Sequence, residues 1–257
     1  MIWKATCHSS TGIWHQRHDL PCQDYGEYCL VDKLIIGAVA DGAGSAKYSA
    51  QGAKLAVKEI LDYLHKFKKK FSQQSYQLTA KIAKQTFYEG VQKVRTSLQE
   101  KAFKEQCSLN EFACTLIAFV ATPDWISAMQ IGDGFLVTRL YDQPSYQLFF
   151  HPDKGEFVNE TTFITSRNAL ATMQVHTLPG KQRFICASTD GLESVSINLR
   201  NWLPFAPFFK PLETYIEQTN NPKEDKEYLS QFLSSKRLQS RTDDDKTLLI
   251  CFYKLQL

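Results

Sequence analysis

The predicted strands of this chain come in two batches, with two long helical patterns between them. The first batch is predicted at residues 2–7, 27–31 and 33–40. The second batch is denser, and short turns separate strands predicted at residues 112–120, 125–131, 135–140 and 146–150. Short turns join antiparallel strands, because a parallel connection needs a long crossover. The pattern therefore predicts an α+β fold: a four-layer α-β-β-α sandwich of two packed, mostly antiparallel sheets flanked by helix pairs.

Apolar residues at helical spacing predict the two long helices at residues 48–67 and 76–104. Later in the chain, shorter strands are predicted at residues 162–165, 173–177, 184–187 and 247–253. Shorter helices are predicted at residues 212–218 and from just after Pro222 to residue 236. No internal repeat, low-complexity tract or linker interrupts the pattern, so a single domain over residues 1–257 is predicted.

Composition and charge exclude several classes of protein. Hydrophobic residues make up 43% of the chain, which is enough for a substantial core. The net charge of +3 is small and spread out, so a nucleic-acid partner is not expected. No apolar segment of about twenty residues is present, so no membrane span is expected. The seven cysteines, without a C-x-x-C pair or a signal peptide, predict reduced thiols and a cytoplasmic protein.

Aspartates stand at or near the ends of several predicted strands. They are Asp24, Asp41, Asp133, Asp190 and Asp244. Asp41 and Asp190 follow strands apolar enough to be buried, and a buried carboxylate must be paired or bound to a cation. No matching set of arginines lies beside them, and no histidines or cysteines stand at metal-ligand spacing. The pattern therefore favours an all-oxygen site for Mg²⁺ or Mn²⁺.

Turn chemistry is the competing interpretation of these aspartates. Asp-Gly is a common turn dipeptide, because glycine readily adopts the positive φ that many turns need. This interpretation is strong for any one position, and it is preferred for Asp133 taken alone. It is weaker for Asp41 and Asp190, since both follow strands apolar enough to be buried.

The order of these motifs along the chain is more specific than any one of them. The motifs run in the order Asp24, Asp41-Gly42, Cys114-Thr115, Gly132-Asp133, Thr189-Asp190-Gly191 and Asp244-Asp245-Lys246-Thr247. This ordered set resembles the metal-dependent protein serine/threonine phosphatases of type 2C, the PPM type, over essentially the whole chain. The segments Pro21-Cys22-Gln23-Asp24 and Asp41-Gly42-Ala43-Gly44-Ser45 are similar to a bacterial branch of that family.

The resemblance implies two Mn²⁺ or Mg²⁺ ions, with a weaker third site, and it assigns ligands residue by residue. Asp41 would bridge both ions, with the Gly42 carbonyl near them. Asp190 and Asp244 would hold one of the ions, with contact to both ions as the alternative for Asp190. The resemblance also implies that Asp24 touches the cluster directly or through a water molecule. Asp133 would contribute to the third site.

The resemblance further implies a reaction and a substrate class. Water activated between two ions would hydrolyse phosphoserine and phosphothreonine, with Asp41 and Asp190 as catalytic residues and no covalent phosphoenzyme. A thiolate mechanism would need a C-x5-R phosphate loop, and Cys22 does not begin one. The expected partner is a phosphoprotein substrate, phosphorylated by a Hanks-type kinase, and the chain is expected to be a monomer.

The phosphate-binding half of the site departs from the family pattern. The family carries an arginine shortly before its first acidic pair, whereas here Gln23 replaces the first acid. Arg17 is predicted to bind the phosphate, because its guanidinium matches phosphate geometry, with a solvated surface arginine as an equal alternative. Ala43 stands where many eukaryotic members have a histidine proposed as general acid. His15 or water would then serve, and a purely structural role is the alternative for His15.

Two further alternatives stay open. Residues 151–181 occupy the place of the family's flap, and residues 159–162 either contact the phosphoprotein or form a turn. The fold could also serve as a catalytically weak pseudophosphatase, a regulatory binding module, although the complete set of aspartates favours an enzyme. An enzyme acting on small phosphoesters would use the same chemistry.

Overall fold

Two five-stranded sheets pack face to face in the computed structural model, which describes residues 3–67, 76–150, 161–221 and 226–255. The first sheet has the spatial order β1 (Trp3–Ser10), β12 (Lys246–Tyr253), β9 (Gln182–Ser188), β6 (Phe135–Leu140) and β7 (Gln147–Leu148). The second sheet has the order β2 (Tyr25–Val31), β3 (Leu34–Ala40), β4 (Leu116–Ala121), β5 (Trp125–Ile131) and β8 (Gln174–Pro179). Neighbouring strands in both sheets are antiparallel. A separate hairpin joins β10 (Ile197–Asn198) and β11 (Leu203–Pro204).

Helices cover the outer faces of both sheets. In chain order they are α1 (Ile13–Arg17), α2 (Ser49–Lys66), α3 (Tyr76–Lys104), α4 (Ala169–Thr172), α5 (Glu193–Ser196), α6 (Ala206–Gln218), α7 (Lys226–Leu233) and α8 (Lys236–Gln239). Helices α2 and α3 share a buried apolar cluster with the second sheet, and α6 and α7 share another with the first sheet. A third cluster fills the space between the sheets. The predicted α-β-β-α sandwich is confirmed.

Strand β3 shows why the apolar runs of the sequence became central strands. Every residue of β3 is buried, because helices cover one face of the strand and the other sheet covers its opposite face. Leu34 and Ile36 belong to the helix-side cluster, and Ile35 and Val39 belong to the cluster between the sheets. At Gly37 a Cβ atom would lie 2.6 Å from a side-chain carbon of Leu249, on β12 of the other sheet. Glycine at this position therefore lets the sheets approach closely.

The strand predicted at residues 162–165 is wrong. The main chain there turns, and its groups bond to two distant parts of the molecule. The amide of Ile164 donates to the carbonyl of Cys114, at 2.8 Å. The guanidinium of Arg95, on α3, donates to the carbonyls of Ile164 and Ser166. Because a side chain from a distant helix binds these carbonyls, they make no strand ladder.

Several other elements differ from prediction at their boundaries. The strand predicted from residue 112 begins only at Leu116, as β4, because a short helical turn occupies Leu109–Phe112. Helix α6 begins at Ala206 rather than at residue 212, with Pro207 in its first turn, where a missing N–H costs nothing. The helix predicted to reach residue 236 ends at Leu233, and the separate helix α8 follows it. The strand predicted at residues 146–150 is shortened to β7. Residues 2, 68–70, 159–160 and 222–225, on which parts of other predictions fall, lie outside the described residues.

The remaining observations concern membranes and thiols. Among the described residues, no helix combines the length and the apolar character that crossing a membrane requires. No disulfide joins any of the seven cysteines, all of which lie among the described residues, and Cys114, Cys186 and Cys251 are buried in the apolar interior.

Candidate metal centre

Five strand ends from the two sheets lie at one edge of the sandwich. Ala40, the last residue of β3, pairs with Tyr25, the first residue of β2. Ser188, the last residue of β9, pairs with Phe135 at the start of β6 and with Leu248 near the start of β12. Residues just outside these ends are therefore neighbours in space, although they are far apart along the chain.

Three aspartates converge at this edge. Carboxylate oxygens of Asp41, Asp133 and Asp190 all lie within 4.8 Å of one another. Asp41 follows β3, Asp190 follows β9, and Asp133 lies in the turn that carries the chain from β5 in one sheet to β6 in the other. Asp133, for which a simple turn was the preferred interpretation in isolation, thus shares a site with the two strand-end aspartates.

Asp24 lies beside this group and is 5% exposed. Its Oδ2 accepts a hydrogen bond of 2.6 Å from the hydroxyl of Thr189, which is itself held by the amide of Thr247 at 2.9 Å. The carboxyl group of Asp41 is close enough to Asp24 for the two groups to affect each other's pKa. Its other oxygen, Oδ1, is buried and has no hydrogen-bond partner among the described residues. An orphaned buried carboxylate oxygen indicates a missing positive partner.

The acidic residues at this edge raise one another's pKa values. Burial, followed by the charges of Asp24 and Asp190, raises the pKa of Asp41 to about 11. Burial is also the main cause for Asp24, whose pKa rises to about 7, and for Asp190, whose pKa rises to about 6. Burial, followed by the charges of Asp190 and Asp133, raises the pKa of Glu193 to about 7.

Without a cation, these carboxylates therefore resist ionisation at neutral pH. Divalent cations remove that penalty, because they bind the deprotonated form. An all-carboxylate donor set suits hard ions such as Mg²⁺ and Mn²⁺, so the residues fit the predicted metals.

The main chain around Asp41 is fixed by contacts in the buried core. The amide of Asp41 donates to the hydroxyl of Thr115 at 3.0 Å, and the amide of Thr115 donates to the carbonyl of Asp41 at 2.8 Å. These two hydrogen bonds give Thr115 a structural role. Gly42 forms an isolated bridge with Cys114, and a Cβ atom at Gly42 would lie 2.8 Å from the carbonyl oxygen of Gln23. A side chain at Gly42 would push these segments apart.

Three consecutive aspartates precede β12. The second, Asp244, is exposed, and the third, Asp245, is buried. Asp244 lines the same cleft as Asp41 and Asp190, and burial of its carboxyl group raises its pKa. The Asp245 carboxylate accepts hydrogen bonds of 2.6 Å from two main-chain amides, Gly12 at Oδ1 and Gln23 at Oδ2. Asp245 therefore holds residues 12–23 against β12, whereas Asp244 faces the site.

Lys246 is buried although it carries an ammonium group. It is 1% exposed, and its Nζ donates a hydrogen bond of 2.6 Å to the carbonyl of Asp244. Burial lowers its pKa, and the nearby carboxylates of Asp245, Asp244 and Asp24 oppose that change. Lys246 is thus a fixed positive charge behind the acidic site.

His15 and Arg17, the two predicted catalytic residues outside the acidic group, differ in their positions. His15 is 6% exposed, and its Nδ1 lies 3.0 Å from Asp245 Oδ1. Arg17 is exposed at the end of α1 and is absent from the described cleft lining. The thiol of Cys22 donates to the carbonyl of Asp24, and burial raises its pKa, which agrees with the rejection of a thiolate mechanism.

The acidic site opens into a cleft of about 370 Å³. Its described lining consists of Trp14, His15, Gln23, Asp41, Gly42, Ala43, Gly44, Asp133, Thr161, Phe163, Asp190 and Asp244. The hydroxyl of Thr161 donates to Asp133 Oδ2 at 2.5 Å, so the described end of the predicted flap touches the acidic site. Asn159 and Glu160 lie outside the described residues.

Sequence reasoning gave no role to Asp245, Thr189 or Trp14. The signal for Asp245 was the run of three aspartates before an apolar strand. In an extended run only alternate side chains face the same way, so Asp244 and Asp245 must point in different directions. The signal for Thr189 was its place between a buried strand and Asp190. No comparable pattern marked Trp14, because its position depends on how residues 12–23 fold back onto β12.

Comparisons with known proteins agree with this architecture over nearly the whole chain. The family model described as Protein phosphatase 2C matches residues 11–234. Serine/threonine-protein phosphatase 3 of Escherichia coli (strain K12) is 33% identical over 260 residues, which cover 98% of this chain and 99% of that protein.

Solved structures share the fold at much lower identity. Serine/threonine phosphatase Stp1 from Staphylococcus aureus superimposes with a TM-score of 0.63 at 12% identity, covering 99% of this chain and 96% of that one. The catalytic domain of the serine threonine protein phosphatase PstP, in complex with two manganese ions, gives a TM-score of 0.58 at 13% identity, covering 98% of each chain.

Proposed function

The chain belongs to the protein phosphatase 2C family, and from that premise we propose that it hydrolyses phosphoserine and phosphothreonine in proteins with the help of two Mn²⁺ or Mg²⁺ ions. The observation that carries the proposal is the convergence of Asp41, Asp133 and Asp190 within 4.8 Å at the mouth of a cleft. Three carboxylates from separate strand ends would repel one another unless cations bind between them.

Six residues would hold the ions in this proposal. They are Asp24, Asp41, Gly42 through its carbonyl, Asp133, Asp190 and Asp244. Asp41 and Asp190 come from different sheets, so together they place ligands on two sides of the site. Bound ions would supply an activated water and neutralise the phosphoryl oxygens.

The chain's own residues position the ligands and the substrate. Thr189 and Thr115 fix Asp24 and the main chain of Asp41 through the hydrogen bonds described above. Arg17 is proposed to bind the phosphate when substrate enters, and His15 is proposed as the proton donor. The substrate would be a phosphoprotein opposed by a Hanks-type kinase, and the enzyme would act as a cytoplasmic monomer.

Metal dependence tested on a phosphothreonine peptide decides the proposal. We expect phosphate release with Mn²⁺ or Mg²⁺, none with EDTA, and a loss of at least about a hundredfold in Asp190→Asn. Asp243→Asn is the matched control, because Asp243 is exposed and is absent from the described lining; its activity should stay within about twofold.

Two results would overturn the proposal. One is hydrolysis that persists in EDTA or that proceeds in Asp190→Asn as fast as in wild type. The other is Mn²⁺ binding by calorimetry without hydrolysis of any phosphopeptide, which would instead identify a pseudophosphatase. Turnover of p-nitrophenyl phosphate alone, with no phosphopeptide cleaved, would indicate an enzyme for small phosphoesters.

A further inference from the structure

Trp14 is the one exposed tryptophan of this protein. All four tryptophans lie among the described residues: Trp3 and Trp125 are buried, Trp202 is half-buried, and Trp14 is 48% exposed. The side chain of Trp14 also belongs to the lining of the cleft that holds the acidic site. An exposed indole forfeits free energy that burial would supply, and tryptophan is enriched in the surfaces through which proteins bind one another. Packing within the protein therefore does not explain the position of Trp14.

Contacts within residues 12–23 and with the aspartate run before β12 hold the indole in place. The amide of Trp14 donates a hydrogen bond of 3.0 Å to the carbonyl of Asp243. The ring of His18 lies against the indole, with 4.3 Å between the ring centroids, and Nδ1 of His18 donates to the carbonyl of Trp14 at 2.7 Å. The ring of His15 meets the indole edge-on, at 5.1 Å. Because the indole is already held, binding against it costs little side-chain entropy.

A second aromatic residue, Phe163, lines the same cleft. Phe163 packs against Ala43, Ala46 and Ala113, which lie between β3 and β4 of the second sheet. Trp14 is instead tied to the residue run before β12, which belongs to the first sheet. The two aromatic residues therefore come to the cleft from different sheets, as the aspartates do.

The rest of the cleft lining carries little charge. Its acidic residues are all proposed metal ligands, so bound ions would neutralise them; they are Asp41, Asp133, Asp190 and Asp244. Apart from His15, the other described residues of the lining have uncharged side chains. A substrate side chain beside the phosphate would thus meet neutral and aromatic surface, and an apolar side chain would gain most from covering it.

We propose that Trp14 determines substrate specificity by packing against an apolar side chain next to the phosphoserine or phosphothreonine of the phosphoprotein; this rests on the function proposed above. Consecutive Cα atoms are only about 3.8 Å apart, so the neighbours of the phosphorylated residue lie at the cleft walls when its phosphate reaches the acidic site. Trp14 touches the substrate away from phosphorus. It should therefore act on peptides and not on small phosphoesters.

Paired peptides test the preference. Two phosphothreonine peptides differ only in the residues on either side of the phosphothreonine, which are leucines in one and asparagines of similar size in the other. With Mn²⁺ we expect wild type to show about tenfold higher kcat/KM on the leucine peptide, which is the discrimination typical of an apolar contact. Equal rates on the two peptides, or a preference for a third peptide with arginines at both positions, would overturn the proposal.

Trp14→Ala should remove the preference. We expect its kcat/KM on the leucine peptide to fall about tenfold, to the level of the asparagine peptide. Its rates on the asparagine peptide and on p-nitrophenyl phosphate should change by less than about threefold. Trp14→Phe should keep most of the preference, because it retains an aromatic ring.

The matched control is Phe103→Ala, which should leave all three rates and the preference unchanged. Phe103, on α3, is an 86% exposed aromatic residue that is absent from the described lining of the cleft. Two results for Trp14→Ala contradict the proposal. One is a preference that persists, and the other is an equal loss on all three substrates, which would show that Trp14 only supports the fold of residues 12–23.

A spectroscopic measurement keeps the test decisive if Trp14→Ala does not fold. In wild-type protein labelled with 5-fluorotryptophan, the ¹⁹F signal of Trp14 is the one missing from Trp14→Phe. Non-hydrolysable phosphonate analogues of the two peptides are the probes, and we expect the leucine analogue to shift this signal more than the asparagine analogue does. A saturating leucine analogue that leaves the signal in place would overturn the proposal. Failure of the proposed function is distinct, because wild-type protein would then release no phosphate from either peptide with Mn²⁺.

Discussion

Two regions meet at the cleft and are built in different ways. In the acidic site, defined by Asp24, Asp41, Asp133 and Asp190, the last three stand at the ends of buried strands, and Asp24 precedes the partly buried β2; the sheets fix the main chain of all these strands. The α1 segment, residues 12–23, contains a five-residue helix without a side-chain N-cap, and Asp245 ties both of its ends to β12. The positions of the proposed metal ligands thus depend on the buried core. The positions of Arg17 and His15, which are proposed to face the substrate, depend on the carboxylate of Asp245.

This comparison predicts that changes in the two regions will separate metal binding from substrate handling. Changes in the acidic site should alter metal affinity and all turnover together. Changes in the α1 segment should alter turnover or KM while metal affinity stays the same. The predictions below run from the largest expected effect to the smallest.

Asp41→Asn should give the largest effect. We expect kcat on the phosphothreonine peptide to fall at least about a thousandfold, because removing several kcal/mol of metal-derived stabilisation is worth that much in rate. Urea unfolding in EDTA should show the variant to be more stable than wild type, since burial and neighbouring charges disfavour the Asp41 carboxylate. A variant that keeps wild-type turnover, or that is less stable in EDTA, would contradict this account of Asp41.

Stability should depend on pH in opposite ways with and without metal. Burial raises the pKa of Asp190 to about 6 and of Asp24 to about 7, so the folded state binds more protons than the unfolded state above about pH 4. In EDTA the free energy of unfolding should therefore fall as the pH rises from about 4 to 7. With saturating Mn²⁺ the fall should shrink or reverse, because the ion binds the deprotonated carboxylates. Urea titrations at each pH measure this, and identical profiles with and without Mn²⁺ would contradict it.

Thr189→Val should weaken the support of Asp24 without removing a ligand. Its hydroxyl donates to Asp24 and accepts from the amide of Thr247, so we expect a loss of about 1–3 kcal/mol in stability. Mn²⁺ affinity, measured by calorimetry, should fall about 10- to 100-fold. Thr172→Val, which removes an exposed hydroxyl on α4, is the matched control. An unchanged Mn²⁺ affinity would show that Asp24 does not depend on Thr189.

Arg17→Ala should give the smallest effect. We expect KM for the phosphothreonine peptide to rise about tenfold, from the loss of a charge-assisted phosphate contact, with Mn²⁺ affinity unchanged. Arg200→Ala, in an exposed arginine of the β10–β11 hairpin, is the control for net charge. If both variants keep the wild-type KM, Arg17 is a solvated surface residue, and the phosphate is bound by other groups.

The parts of the fold that sequence predicted are those in which local pattern and tertiary burial agree. Strand β3 was predicted at residues 33–40, and it lies at Leu34–Ala40 because its unbroken apolar run needs cover on both faces. Residues 162–165 also read as a strand, but their carbonyls bind Arg95 from α3. No local pattern reports a partner that lies about 70 residues away in the chain.

The residues of the candidate site also divide into those that local sequence pattern predicts and those whose place depends on distant parts of the chain. Asp41 and Asp190 were predictable, because a strand end in the core fixes where a carboxylate must lie. Asp133 needed the ordered set of motifs, since its own turn suggested no metal. Asp245 could not be separated from Asp244 until the wrapping of the α1 segment was known. The register of β12 decides which aspartate of the consecutive run faces the site. Pairing with β1 and β9 sets that register.

The turn at Asp133 crosses from one sheet to the other, and Asp41 and Asp190 stand on opposite sheets. An ion held by all three would link the two layers at this edge, in addition to the apolar contacts and hydrogen bonds, such as that from Tyr28 to the carbonyl of Ala5, which already join them. Heating would then have to displace the ion before the layers separate at this edge. Binding to the folded state alone adds about 2.7 kcal/mol at a free ion concentration one hundred times Kd. If ions bind as proposed, a melting temperature for this protein would depend on the free divalent cation in the buffer as well as on the polypeptide, and thermal-shift screens for inhibitors would detect chelators first.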